Sequence, residues 1–399
     1  METRHITSME ELPEAAAALK LGGLVAVPTE TVYGLCANGM DSEAVAALYE
    51  VKGRPEVKPL SLMIAGPAEI EKYARDIPPA AYTLAARFWP GPLTLVLPAK
   101  STVPSIVRAG GDTIGLRCPA HKMTLALLDR LRLPLAGPSA NPSGKPSPKT
   151  AEEVLAYFDG KIDSVVDGGT CGIGRESTIL DLTVRPFRIL REGALSREEI
   201  ENALLSQLRL IGVTGGTGSG KTTVMHALCR KGVLGLDCDV IYHELLESSE
   251  EMLDAIHERF PACFREGKLD RKMLGTIVFA VPEALADLNA IAHKFVHEEV
   301  HRRLRSYVWE GGSVAVIDAI ALFESGLAEE CVFTVGITAP REKRLRRIME
   351  REGISEDYAL SRIEAQPEDA YYEARCDYLL VNDGTMEELE EKCKNLFGI

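Results

Sequence analysis

The stretch RLIGVTGGTGSGKTT, Arg209 to Thr223, constrains this chain more than any other segment. A short apolar run (Leu210, Ile211, Val213) enters a glycine-rich loop, and the loop feeds a helical run that starts near Thr222. Gly215, Gly220, Lys221 and Thr222 occupy every fixed position of G-x-x-x-x-G-K-[ST]. Glycines let backbone N–H groups approach a phosphate with no Cβ in the way, and the helix N-terminus adds partial positive charge. The spacing therefore predicts a nucleotide cradle made of Gly215, Gly216, Gly218, Ser219, Gly220, Lys221, Thr222 and Thr223. Lys221 would reach the β- and γ-phosphates of a nucleotide, and the Thr222 hydroxyl would face Mg²⁺. A loop of this kind follows the first strand of its domain, so residues 1–205 require a separate fold from residues 206–399.

Composition narrows the class. The formal net charge of −14 disfavours stable binding to DNA or to an anionic membrane, while leaving room for a local basic groove. The nine cysteines include no C-x-x-C, which points to reduced thiols in a cytoplasm. The opening METRHITSMEELPEAAAALK carries acids early and lacks an apolar core, unlike a signal peptide, and no apolar run is long enough to span a bilayer. A cytoplasmic protein is the expectation.

In the first half, Met9–Leu21 has helical composition and stops at Gly22-Gly23. A short strand over Leu24–Val27 leads into PTETVYGL, Pro28 to Leu35, a hydroxyl-rich turn. A helix over Asp41–Val51 delivers KGRPEVKPLSL, with Lys52, Arg54 and Lys58 among prolines. Either the prolines shape the loop so that the cations converge on an anion, or the loop is simply solvated. The run Leu133–Ala136 and then PSANPSG place Ser139 and Asn141 at a strand end, where open α/β sheets bind ligands. Ser196 and Glu199 form a capping-box pattern that opens a helix to about Leu208, with no flexible linker after it.

PTETVYGL, KGRP…KPLSL, FWPGPLT, GLRCP, PSAN, ESTILD and ILREGA, in that order, resemble the threonylcarbamoyl-AMP synthase (YrdC-like) family over residues 1–200. The resemblance implies a twisted α/β sheet with a basic concave pocket. Its reaction joins threonine, bicarbonate and ATP into threonylcarbamoyl-AMP and pyrophosphate. A separate threonylcarbamoyl transferase would then pass the product to tRNA. The family's K-x-R and S-x-N signatures fall on Lys52, Arg54, Ser139 and Asn141, with Lys52 and Arg54 in catalytic roles. Lys58 would help to neutralise the phosphates, Thr29, Arg117 and Ser177 would line the threonine and nucleotide pocket, and Arg191 would serve the nucleotide side. Met63 stands where some members have a histidine.

In the second half, VLGLDCD (Val233 to Asp239) reads as a strand ending in two acids, with Asp239 either near the γ-phosphate or capping a helix. Leu269–Phe279 and Leu288–Val296 read as amphipathic helices. Val314–Asp318 is a buried-strand pattern ending in an acid able to hold Mg²⁺ through water, and Cys331–Thr338 is another buried strand. Arg341–Gly353 is a basic helix with Arg347 and Arg351 at i, i+4, either a solvated face or the base of a lid.

This half resembles dephospho-CoA kinase, on GVTGGTGSGKT, LDCDVI, LDRKML, the L-N-x-I-x-H run, D-x-x-x-L-F-E, the arginine helix, Gln366 and VNDG. That resemblance implies an adenylate-kinase-like parallel sheet with a lid, moving the γ-phosphoryl of ATP to the 3′-hydroxyl of dephospho-CoA. Asp239 would be the base, and Lys221 and Arg347 would stabilise the transferring charge. Three positions depart from the family: Lys294 and Ile320 replace prolines, and Tyr372 replaces a lysine. The alternative is an RNA-binding module fused to a P-loop unit that is inactive or acts on another small hydroxyl acceptor.

Overall fold

The computed structural model describes residues 2–230 and 232–397. They divide into a first unit, Met1–Gln207 with Trp309–Gly311, and a second, Leu208–Val308 with Gly312–Ile399.

The first unit is built on a ten-stranded mixed sheet. Across it run Arg4–Ile6, Ser164–Val166, Val25–Val27, Gly34–Asn38, Leu135–Ala136, Ser61–Met63, Thr113–Arg117, Leu93–Pro98, Thr178–Asp181 and Arg188–Arg191. The helix Leu12–Lys20 turns Leu12, Ala15, Ala16 and Leu19 inward, the one-face spacing of a 3.6-residue repeat. With Leu127, Leu128 and Leu131 of the helix Lys122–Leu131 they form one core against Val25, Val27 and Leu135. Val25–Val27 pairs antiparallel with Gly34–Asn38 in the register Val27↔Gly34, so PTETVYGL is the connection between them. Its shape comes from Thr29, whose hydroxyl accepts from the Thr31 and Val32 N–H groups (3.1 and 3.2 Å) and donates to Val32 O at 2.7 Å. The helix Ser42–Lys52 begins at Asp41, whose carboxylate accepts from the Glu43 and Ala44 N–H groups, and ends at Gly53 in the left-handed region.

The second unit carries a five-stranded, all-parallel sheet in the order Leu234–Asp237, Val314–Asp318, Arg209–Thr214, Phe333–Thr338, Tyr378–Val381. Arg209–Thr214 lies at its centre, and Ile211, Val213, Val316, Val335 and Ile337 form the core with Val224 and Leu228 of the helix Lys221–Cys229. The register sets Val213 and Asp237 beside Asp318, so two carboxylates reach the strand ends next to the glycine-rich loop. A second core joins Leu246, Met252, Ile256, Leu274, Val278 and Leu288, drawn from four helices of which the last is Pro282–Trp309.

Three expectations need correction. The strand after the P-loop helix stops at Asp237, not Asp239. Asp237 is the helix cap, its carboxylate accepting from the Asp239 and Val240 N–H groups at 3.0 and 3.1 Å, and this leaves the Asp239 carboxylate uncommitted as a cap. Leu288–Val296 is part of the 28-residue helix Pro282–Trp309, because Pro282 opens it and no breaker interrupts it. The capping-box helix, with both reciprocal bonds formed, ends at Leu205. Among the described residues no helix is long and apolar enough to cross a membrane.

Candidate active sites

A cavity of about 330 Å³ opens in the first unit. Thr29, Arg54, Arg117, Ser139, Ser177 and Arg191 line it, with Met63 in its wall. Arg117 is fixed from several sides: its guanidinium pairs with Glu30 at 2.6 Å and donates to Thr31 Oγ1 at 2.9 Å and Gly91 O at 3.3 Å. Arg191 pairs with Glu176 at 3.0 Å and donates to Ser177 O at 2.8 Å, and Ser177 shares a 2.9 Å hydrogen bond with Thr94. Three guanidiniums thus border one cavity, two of them held by carboxylates. A guanidinium oriented this way suits a carboxylate or phosphate. Glu30 and Glu176, the orienting acids, adjoin Thr29 and Ser177, but their spacing in the chain carries no signal of the arginines they meet.

Of the cations of KGRPEVKPLSL, only Arg54 lines the cavity. Lys52 is the last residue of its helix and only 3% exposed. Its ammonium donates to the carbonyls of Ser139 and Asn141 and, at 3.3 Å, to Asn141 Oδ1. Burial, with Arg54 nearby, pushes its pKa down to about 8, opposed by Glu176. Arg54 donates to the Lys58 and Pro59 carbonyls and lines the cavity, whereas Lys58 is exposed and outside the lining. Asn141 sits behind the wall, its Oδ1 accepting from the Ser139 hydroxyl at 2.5 Å. Lys52 therefore props the Ser139–Asn141 loop from inside.

In the second unit the glycine-rich loop closes over the end of the central strand. Gly215 has φ +148°, and a Cβ there would lie 2.2 Å from Ile337 O; Gly220 has φ +107° at the helix start. Side chains pin the cradle from outside. Gln366 accepts from Thr217 N–H at 2.6 Å and donates to the Thr217 hydroxyl at 2.7 Å, and Arg344 donates to Thr217 O at 3.0 Å. Asn382 donates to Ser219 O at 2.8 Å, and Arg347 donates to Gly218 O at 3.2 Å. The Ser219 hydroxyl is buried in the cradle with no partner among the described residues. Lys221 donates to Gly215 O at 2.9 Å, and Thr222 and Thr223 follow on the first turn. Arg351 is turned away, paired with Glu352. The inward face of the arginine helix is therefore Arg344 and Arg347, three residues apart, and Arg344 was missed because a dense basic run does not say which side faces in.

Behind the cradle Asp318 is nearly buried, and that burial raises its pKa to about 7, Lys221 opposing and Asp237 adding. Asp239 opens into a cavity of about 510 Å³ whose wall includes Tyr242, Arg271, Leu274, His293 and Ile320. The surrounding protein raises its carboxyl above the usual range, with Asp237 adding and Lys221 opposing. Of the three departures, only Ile320 lines this cavity. Lys294 is exposed, its ammonium 5.1 Å from the Phe295 ring centre, and Tyr372 is fully buried.

Comparison with known proteins matches the two units separately. The Sua5/YciO/YrdC family model, described as telomere recombination, matches residues 17–193, and the dephospho-CoA kinase family model matches residues 209–388. The threonylcarbamoyl-AMP synthase of Pyrococcus abyssi is 50% identical over 190 residues, 48% of this chain and 56% of that protein. The chain spans about half the length of the first curated synthases it matches. The Halorhodospira halophila synthase is 39% identical, with 42% of this chain matched to 87% of it. The dephospho-CoA kinase of Corynebacterium diphtheriae is 34% identical, with 48% of this chain matched to 96% of it. A crystal structure of P. abyssi Sua5 complexed with L-threonine superposes with a TM-score of 0.50 and 28% identity, covering 84% of this chain and all of that one. The chain belongs to the threonylcarbamoyl-AMP synthase family through its first unit and to the dephospho-CoA kinase family through its second.

Proposed function

We propose that this chain is a bifunctional enzyme. Its first unit would form threonylcarbamoyl-AMP and pyrophosphate from threonine, bicarbonate and ATP. Its second would phosphorylate the 3′-hydroxyl of dephospho-CoA with ATP. The observation that carries the reading is that the first unit lines one cavity with three guanidiniums, while the second carries a glycine-rich cradle and a cavity lined by Asp239. In the first, Arg54, Arg117 and Arg191 border a cavity with the hydroxyls of Thr29, Ser139 and Ser177. An N-carboxy-threonine attacking the α-phosphate builds negative charge there while pyrophosphate leaves, and preorganised guanidiniums stabilise that charge. Threonine as the amino-acid substrate is supported by the L-threonine bound to P. abyssi Sua5.

In the second unit the cradle N–H groups, Lys221 and the unpartnered Ser219 hydroxyl suit the phosphates of ATP. Asp239 lines the acceptor cavity and feels the charge of Lys221, which supports its taking the proton of the attacking hydroxyl. Leu274, Val278 and Leu288 give that cavity an apolar wall for the pantetheine arm, and Arg271 offers a cation to the phosphates of dephospho-CoA. Arg347, which donates to the cradle carbonyl Gly218 O, would complete charge neutralisation. The Thr222 hydroxyl and the Asp318 carboxylate are the hard oxygens that would hold Mg²⁺, which would neutralise phosphate charge. The nine unpaired cysteines support a reducing, cytoplasmic setting. A separate transferase would carry threonylcarbamoyl-AMP to tRNA.

The test measures threonine- and bicarbonate-dependent pyrophosphate release and ATP-dependent conversion of dephospho-CoA to CoA on the same full-length chain. Lys221→Ala should abolish the second and spare the first, and Lys52→Ala should do the reverse. Loss of both activities from either change, or no conversion by the unaltered chain, would count against the reading.

A further inference from the structure

We propose that His297, His301 and Glu330 form a binding site for a transition-metal dication of the zinc class. The proposal is independent of the reaction assigned to either unit.

The two histidines lie four residues apart on the helix Pro282–Trp309, so their side chains project from one face. Their rings stand 4.5 Å apart, tilted by 37°. Glu330 ends the short 3₁₀ turn Leu327–Glu330 and brings its carboxylate to both of them. His297 Nε2 is 2.7 Å from Oε1, and His301 Nε2 is 2.8 Å from Oε2. All three ligand atoms lie within 4.8 Å of one another. Zn²⁺ held at roughly 2.0–2.1 Å in a tetrahedron spaces its donors about 3.3 Å apart. The two N–O separations, 2.7 and 2.8 Å, fall about half an ångström short of that spacing, a difference side-chain movement can supply.

The alternative is a hydrogen-bonded cluster with no ligand. One imidazole would suffice to pair Glu330. Here two converge on the same carboxylate through the same ring nitrogen, which leaves a concave three-donor site rather than a linear bridge. The side chains are 39%, 30% and 32% exposed, so a fourth position can take water and the metal has a route in. Two imidazole nitrogens and one carboxylate suit Zn²⁺ and its late first-row neighbours; Mg²⁺ and Ca²⁺ take oxygen ligands instead. The site is therefore chemically distinct from the Mg²⁺ position expected beside the nucleotide.

Its position has a consequence. The same helix contributes His293 and Val296 to the large cavity of the second unit, and the same 3₁₀ turn contributes Leu327. A metal here would cross-link two walls of that cavity one helical turn beyond its lining.

The test is calorimetric titration of the full-length, metal-stripped chain with ZnCl₂ in millimolar MgCl₂, alongside His297→Gln and Glu330→Gln. A one-to-one site should appear in the unaltered chain and weaken by at least about 100-fold in each variant, since each removes a direct ligand. Zinc taken up by cysteines should be equal in all three and cancel. Co²⁺ should give visible d–d bands in the unaltered chain and lose them in both variants, whose circular dichroism and dephospho-CoA phosphorylation should match the unaltered chain. Absence of zinc binding, binding that survives either substitution, or displacement by Mg²⁺ would each overturn the proposal.

Discussion

Lys52→Met separates a positioning role from direct contact with phosphate. The substitution keeps the length of the side chain and removes its ammonium. Asn141 O loses its donor, while Ser139 O keeps the Asn141 N–H at 3.0 Å and Asn141 Oδ1 keeps the Ser139 hydroxyl. A buried carbonyl left without a donor costs about 1–3 kcal/mol. Against this, the ammonium is held in the fold at a pKa of about 8 in place of 10.5, and removing that desolvated charge returns about 3 kcal/mol. The two terms oppose, so unfolding of the first unit in urea should shift by no more than about 2 kcal/mol. Catalysis should respond far more. Ser139 lines the cavity and Asn141 backs it, and a slip of about 1 Å in groups that position substrate costs on the order of 100-fold. The assay is threonine-dependent pyrophosphate release, with CoA formation by the same chain as an internal control. Release within about threefold of the unaltered chain would refute the positioning argument. So would a loss of both activities that tracks unfolding.

The other predictions rest on separate contacts. As pH rises through about 8, pyrophosphate release should fall as Lys52 discharges, while the first unit grows more stable toward 10.5 because the unfolded chain then holds the extra proton. A pH series with both readouts checks the opposite signs. Asp239→Asn should lower CoA formation by about 10²- to 10⁴-fold with little change in the KM for ATP. In the unaltered chain, CoA formation should decline on the acid side at a pH above the usual carboxylate range, since the Asp239 pKa is raised. Gln366→Leu deletes both bonds to Thr217, worth about 1 kcal/mol each, and steady-state kinetics should show the KM for ATP rising up to about 30-fold. Arg117→Ala leaves the largely buried Glu30 with the Ala120 N–H as its remaining donor, and the first unit should lose about 3 kcal/mol in urea unfolding.

The residues of the nucleotide cradle are consecutive, so their spacing alone determined the strand, the loop and the helix from Arg209 onward. Local rules of the same kind determined the Ser196–Glu199 cap, the helix Leu12–Lys20 and the Thr29 turn, because every partner lies within a few positions. Tertiary structure decided where side chains with distant partners point. Lys52, Arg54 and Lys58 share one proline-rich segment, yet one is buried, one borders the cavity and one meets solvent. Their sorting depends on a carbonyl-rich loop nearly ninety positions away, whose acceptors can satisfy one buried ammonium. Glu30 orients Arg117 across a gap of 87 residues, and Glu330 meets two histidines some thirty residues earlier. Asp237 took the cap and left Asp239 for the cavity because the strand ends in register with Asp318, a pairing between segments far apart in the chain. Periodicity and spacing report short-range geometry; which of several like charges turns inward follows from the donors and acceptors that folding brings to meet it.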